Sequence, residues 1–271
     1  MADREADADW WATEIIDMAP GEIRYRGYAI EDLIGRVGFA EMAWLLLRGE
    51  LPSRAEAALL EVALVAAVDH GPQAPSIAIA RMAATCGVGL NNAMASAVNV
   101  LGDVHGGAGE QAVALYDQIV REGGDLAAAT TMALDAFFAS GQRFLPGFGH
   151  RFHPIDPRAP RLMEVADAAA GRGEIGGRHR AAALEIERQL AERKGRPIPM
   201  NIDGATAVIY AELGFPAPLA RGLFCLSRSV GVLAHAWEEI QAGQRNKGPI
   251  PRDTIWSYTG PAPRRLPDPL P

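Results

Sequence analysis

The sequence predicts an all-α protein. Apolar residues recur at helical spacing along most of the chain, and glycine, proline or asparagine punctuates the segments between them. No stretch shows a convincing pair of strands, and the alanine content favours helices. With 271 residues, 49 % hydrophobic and 22 % charged, the chain has room for one large domain or two smaller ones around a substantial core.

Residues 29 to 49 place Ile30, Leu33, Ile34, Val37, Ala40, Ala43, Trp44 and Leu47 at helical intervals, broken at Gly35 and Gly38, so two short helices joined by a turn are expected, the second ending at Gly49. Ser53 with Glu56 three residues later is a capping box, opening a helix to about His70 before Gly71, Pro72 and Pro75 break it. The run 76 to 104, rich in small residues and interrupted by glycine, reads as two closely packed helices; Arg81, Asn91, Asn92 and Asn99 argue against a membrane span. The loop GDVHGGAG at 102 to 109 follows, then helices at about 110–122, 125–142, 158–171, 177–194, 204–213 and 216–243. The tail from Gly248 to Pro271 holds seven prolines, so it is expected to lie extended, on a surface such as that of another subunit.

A net charge of −7 gives no general reason to bind nucleic acid or an anionic membrane, though a local basic patch can still hold phosphate. Cys86 and Cys225 read as small hydrophobes of a reducing compartment, and no zinc pattern exists. The acidic start MADREADADWW lacks the features of a signal peptide, and a cytoplasmic location is expected.

The stretch PGFGHRFHPIDPR, 146 to 158, concentrates titratable groups around a glycine turn. Gly147 and Gly149 permit positive φ and close approach, so main-chain N–H groups around Phe148 are candidates to face a ligand; His150 can donate or hold charge, and Arg158 suits a carboxylate. The plain alternative is a proline-rich connector with solvated side chains. His70 reads first as a helix-end cap, and Asp203, directly before a helix, as an N-cap. His105, between Val104 and two glycines, has no apolar face to satisfy and points to a site. Arg228 is either on a solvated face or buried with an anion; His153, His179 and His235 receive no role. One carboxylate and two imidazoles on loops, with arginines nearby, suit proton abstraction beside a carbonyl.

These residues resemble the citrate synthase superfamily. RYRGYAIEDLIGRVGFAEMAWLLLRGELPS at 24 to 53 is similar to its early helical signature, VHGGAGEQAV at 104 to 113 to its HGGAN-type loop, PGFGHRFHPIDPR to its GxGHR…DPR segment, and NIDGATAVIYAELGF at 201 to 215 to its NVD segment. The resemblance implies a nearly all-α homodimer, or a larger assembly, with a large domain (1–107 and 218–271, including the tail) and an inserted smaller domain (108–217). It implies Asp203 as base on an acetyl-CoA methyl group, His105 as donor to the thioester oxygen and His150 as the group polarising the keto carbon. His70, 35 residues before His105, matches the substrate-binding histidine, while Arg158 and Arg228 would hold carboxylates. Coenzyme A enters as a thioester substrate, with no tightly bound cofactor and no metal. Its site is sought at Gly147, Phe148 and Gly149 and at Lys194 and Arg196 of the RKGR run, which equally fits a solvated helix end.

Departures from the synthase pattern set the expected activity. DHGP at 69 to 72 and GD at 102 and 103 resemble the citryl-CoA lyase module of ATP-citrate lyase, synthases carry a longer N-terminal segment, and Ile250 stands where synthases supply a partner-subunit arginine. His105, by contrast, replaces the aromatic residue usual in that module. The expected activity is cleavage of citryl-CoA to acetyl-CoA and oxaloacetate, with citrate synthase, using acetyl-CoA or another acyl-CoA and a 2-oxoacid, as the alternative. A non-catalytic helical scaffold would predict losses at Asp203, His105 or His150, yet all three are present; a metal-dependent hydrolase would need ligands converging at metal distances.

Overall fold

A computed structural model describes residues 10–251 and 253–266. Eleven helices among the described residues form the body: α1 Ile30–Leu33, α2 Phe39–Arg48, α3 Arg54–Ala66, α4 Pro75–Thr85, α5 Leu90–Val98, α6 Ala108–Glu122, α7 Leu126–Ala139, α8 Arg158–Gly171, α9 Arg178–Lys194, α10 Ile202–Glu212 and α11 Ala217–Gln241. They follow the expected segments closely. Three differences matter.

First, an antiparallel meander precedes them: β1 Ile16–Ala19, β2 Glu22–Tyr25 and β3 Tyr28–Ala29, in register Ile16 with Tyr25 and Tyr25 with Tyr28. The expectation of no strand pair is therefore corrected. The strands have four residues or fewer, too short for alternation to show, and their connections carry the information. Gly21 at φ 85 follows Pro20, and Arg26 and Gly27 both take positive φ (48 and 87), the primed geometry of a two-residue hairpin. Arg26 Nη2 donates to Leu46 O at 2.9 Å, which ties the hairpin to α2.

Second, α3 opens on the expected capping box, Glu56 N to Ser53 Oγ at 3.2 Å and Ser53 N to Glu56 Oε2 at 2.8 Å, but stops at Ala66. Asp69 accepts from Gly71 N at 3.0 Å, a local bond that competes with helix continuation and leaves His70 on a loop instead of a helix end. Third, Cys86 caps the end of α4 and is exposed, so its sulfur is not the buried hydrophobe expected; Cys225 is half-buried, and both are free.

Helix α10 sits at the centre, with Gly204 through Ala211 buried on every side. The main apolar cluster runs from Ala40 and Trp44 to Ala220 and Leu223 and takes in residues of α2, α3 and α6 to α11. Tyr210, Phe215 and Trp44 meet edge to face, with centroids 6.5 and 5.1 Å apart, and truncating such a buried ring costs about 3–5 kcal/mol. A second cluster joins α4, α5 and the later turns of α11 through Ile77, Ala80, Ala93, Ala97, Val232 and Ala236. Helix α11 turns its small residues inward, while Val230, Leu233, Trp237 and Ile240 stay exposed. The described part of the proline-rich tail is exposed and without helix. No described helix is long and apolar enough to cross a membrane.

Candidate active site

Two adjoining clefts share Gly149, His150 and Arg151. One, of about 690 Å³, is lined by His70, His105, His150, Phe152 and Asp203 among others. Four residues distant in sequence thus meet, because the 67–74 loop, the 102–107 loop, the GFG turn and the start of α10 converge. The other, of about 510 Å³, combines Phe138, Phe144 and Phe148 with Arg143, Lys194 and Arg196.

Asp203 does not cap its helix. Asn201 does, its Oδ1 accepting from Asp203 N at 3.0 Å and Gly204 N at 3.3 Å, which leaves the Asp203 carboxyl in the first turn without a hydrogen bond among the described residues. Burial pushes this carboxyl above the ordinary carboxylate value, against the pull of Arg228 and Arg158. A carboxyl with open lone pairs and a raised pKa suits proton transfer to and from carbon.

Two of the imidazoles, His105 and His150, each accept a backbone N–H at one ring nitrogen. The first-turn amide of Ser76 donates to His105 Nε2 at 3.2 Å, so in the neutral ring Nδ1 carries the proton. Burial, then Arg228, lowers the His105 pKa and keeps that ring neutral. His150 Nδ1 accepts from Phe152 N at 3.0 Å and His153 N at 3.1 Å, which makes Nε2–H the donor. Burial lowers its pKa, aided by His153 and Arg158 and opposed by Asp156. His70, whose ring centroid lies 5.7 Å from that of His150, is lowered by burial and then by Arg158 and Arg228.

Arg228 is the buried anchor of the two readings left open by the sequence: 4 % exposed, donating from Nε to Ala67 O at 3.2 Å and lying 4.7 Å over the Phe224 ring. No carboxylate among the described residues is within ion-pair distance of it. Burial holds its pKa below the ordinary value, with Asp203 and Asp69 opposing and Arg158 adding to the effect, so a bound anion would offset part of the burial cost. Arg158 differs. Its Nε and Nη2 grip the fully buried Asp156 carboxylate at 2.9 Å each. Burial alone would raise Asp156, but bonds from the Arg158 side chain and backbone and from Ile202 N hold it below the ordinary value.

The GFG turn behaves differently from the expectation of ligand-facing amides. Phe148 N donates to Leu145 O at 3.3 Å and Gly149 N to Pro199 O at 2.7 Å, so both are used internally. Gly147 lines neither cleft; it allows main chain to touch main chain, since a Cβ there would lie 2.8 Å from Gly204 Cα. Phe148, Gly149, Lys194 and Arg196 do line the smaller cleft. Lys194 Nζ also sits 4.9 Å from the centre of the Phe138 ring, so it is more than a solvated helix end.

Several residues were given no role in the sequence. Ser76 fixes His105, Asn201 caps α10 and donates to Gly149 O at 2.7 Å, and His153 stands 4.7 Å from His150, centroid to centroid. Asp156 lay within the charged stretch and was the one with a readable signal, a carboxylate two residues from an arginine and between prolines. No group of three or more His, Cys, Asp or Glu among the described residues is placed to hold a metal ion.

A helical fold whose cleft sets a carboxyl without a hydrogen bond beside imidazoles and a guanidinium that has no ion-pair partner among the described residues has the groups for acid–base chemistry on an anionic molecule. The comparisons narrow it. Residues 4–58 and 52–252 match the family described as "Citrate synthase, C-terminal domain", and the chain belongs to the citrate synthase family. It is similar to the citryl-CoA lyase of Hydrogenobacter thermophilus, with a TM-score of 0.85 and 34 % identity over 95 % of this chain and 98 % of that one. It is also similar to the Thermoplasma acidophilum citrate synthase in its ternary complex with carboxymethyl coenzyme A and oxaloacetate (TM-score 0.69, 26 % identity, 84 % and 58 % covered). A citrate synthase of Acidithiobacillus ferridurans is 31 % identical over 74 % of this chain and 51 % of its own length. The chain thus spans about half the length of the curated relatives it matches.

Proposed function

We propose that the protein cleaves citryl-CoA to acetyl-CoA and oxaloacetate by retro-Claisen chemistry. The observation that carries this is the meeting of Asp203, His105, His150 and His70 in one cleft, with Arg228 lacking an internal counter-ion. In cleavage the citryl hydroxyl gives up its proton to the neutral ring of His70, the acceptor at hand, while His150 Nε2–H donates to the same oxygen. The bond between the hydroxyl-bearing carbon and the methylene breaks, its electron pair passing to the thioester enolate while the oxygen becomes the keto group of oxaloacetate. His105 Nδ1–H holds the enolate oxygen, and Asp203, protonated at the outset, delivers its proton to carbon to complete the acetyl methyl. Arg228 and the remaining donors of Arg158 hold carboxylates. The coenzyme A moiety takes the smaller cleft, its phosphates met by Lys194, Arg196 and Arg143 and its flat base by the phenylalanines.

Condensation passes through the same transition state, so citrate synthesis is the second reading, supported by the curated synthase relatives. The likeness to a lyase over nearly the whole of both chains favours cleavage. Residues 108–217 are proposed as the smaller, closing domain, and the exposed stripe of Val230, Leu233, Trp237 and Ile240 supports a homodimer. The test is product identification: acetyl-CoA and oxaloacetate from citryl-CoA support the lyase, citrate and free coenzyme A support the synthase, and no reaction of either mixture refutes both.

A further inference from the structure

Behind the His70 loop lies a polar chain that touches no reacting atom. Helix α11 reads the end of α3 and the loop after it turn by turn. Ser227 Oγ donates to Leu64 O at 2.5 Å, Arg228 Nε to Ala67 O at 3.2 Å, and Gly231 N to Val68 O at 3.2 Å. A Cβ on Gly231 would lie 2.3 Å from Val68 O, so helix and loop backbones are in direct contact there. One turn further on, His235 Nε2 stands 3.2 Å from Asp69 Oδ1, an atom buried from solvent that makes no hydrogen bond among the described residues. Arg81 of α4 fixes the ring from behind: its Nη1 is 3.0 Å from His235 Nδ1, and since a guanidinium only donates, Nδ1 accepts and the neutral ring carries its proton on Nε2, the nitrogen on the Asp69 side. Arg81 is itself held by Glu238 and Glu239 at 2.6 Å each. Asp69 passes the restraint on through its other oxygen, which accepts from Gly71 N at 3.0 Å across His70.

We propose that His235 is a positioning residue: with Arg81 behind it and Asp69 in front, it fixes the loop that presents His70 to the cleft. This rests on the reading of His70 as a ligand-binding side chain. The same α4 carries Ser76, so one helix orients both His105 and, through Arg81 and His235, His70. The pairing asks for an acceptor and a donor about one amide width apart. Glutamine meets that demand; leucine fills the space without it.

The test compares the parent protein with His235→Leu, His235→Gln and His70→Ala. It measures oxaloacetate and coenzyme A binding by calorimetry and the His70 ring signal by NMR with labelled histidine. The expected result is oxaloacetate binding weakened roughly tenfold in His235→Leu, the size of one lost close polar contact to a carboxylate, with coenzyme A binding unchanged, the His70 signal displaced and both restored in His235→Gln. A leucine variant with parent-like oxaloacetate binding and His70 signal overturns the inference while the proposed function stands. Equal weakening of both ligands, with glutamine no better, shows a merely structural residue and overturns it too. Should the parent bind no oxaloacetate, the proposed function fails, and the His70 signal alone decides: displaced by leucine and restored by glutamine it upholds the positioning, otherwise it rejects it. If the leucine variant does not fold, Asp69→Asn carries the same readouts.

Discussion

Replacing Asp156 by asparagine tests the electrostatic frame of the site. Its carboxylate accepts four hydrogen bonds: Arg158 Nε at 2.9 Å, Nη2 at 2.9 Å and N at 3.1 Å, and Ile202 N at 3.0 Å. Asparagine keeps the shape and one acceptor but turns an amide NH₂ toward Arg158 Nη2 and Ile202 N, so two bonds to a charged group are lost in a fully buried place. At about 1.5 kcal/mol or more each, the variant should lose about 3 kcal/mol, or roughly 6–12 °C of melting temperature. The pH dependence fixes the cause. A carboxyl held below its ordinary value contributes stability that is complete above its unfolded value, about 3.9, and is lost as pH falls through the lower folded value. The gap between parent and variant should therefore be full at neutral pH and narrow below about pH 4. Scanning fluorimetry from pH 3 to 8 measures it. Equal melting at pH 7, or a gap that persists in acid, would refute the reasoning.

Asp203→Asn should leave coenzyme A binding intact while kcat falls roughly 10²–10⁴-fold, checked by calorimetry and single-turnover assay; surviving turnover removes Asp203 as the proton carrier. His105 should stay neutral as the Nδ1–H tautomer at pH 7, which nitrogen NMR reads directly, and a protonated ring would contradict its lowered pKa. Gly204→Ala places a Cβ 2.4 Å from Gly147 O and should cost about 1–3 kcal/mol in chemical denaturation; an unchanged midpoint would show that the turn gives way freely. Lys194→Ala with Arg196→Ala should raise KM for the coenzyme A thioester several-fold, with an effect that shrinks in high salt, as expected for phosphate contacts.

Much of the helical frame was legible because it depends on local signals, such as the Ser53 and Glu56 box and the glycines at 35, 49 and 71. The hairpin escaped because its strands are shorter than any period. Two glycine turns held it instead. The identity of the charged residues was legible; their pairing was not, since Asp156 reaches Ile202 across 46 positions and Ser76 reaches His105 across 29. Arg228 stayed open because bulky apolar residues normally mark the inner face of a helix. In α11 the inner face mixes Leu223 and Val232 with the small residues Ala220, Ser227, Gly231 and Ala236 and with the charged Arg228 and Glu239. Small side chains bring the backbones close enough for Arg228 to reach Ala67 O.

The two clefts have Gly149, His150 and Arg151 in common. A group seated in one touches the same ring and main chain that line the other. Whatever factor the first occupant imposes on the affinity of the second must be returned in equal measure, so a titration begun from either side should close the same thermodynamic square.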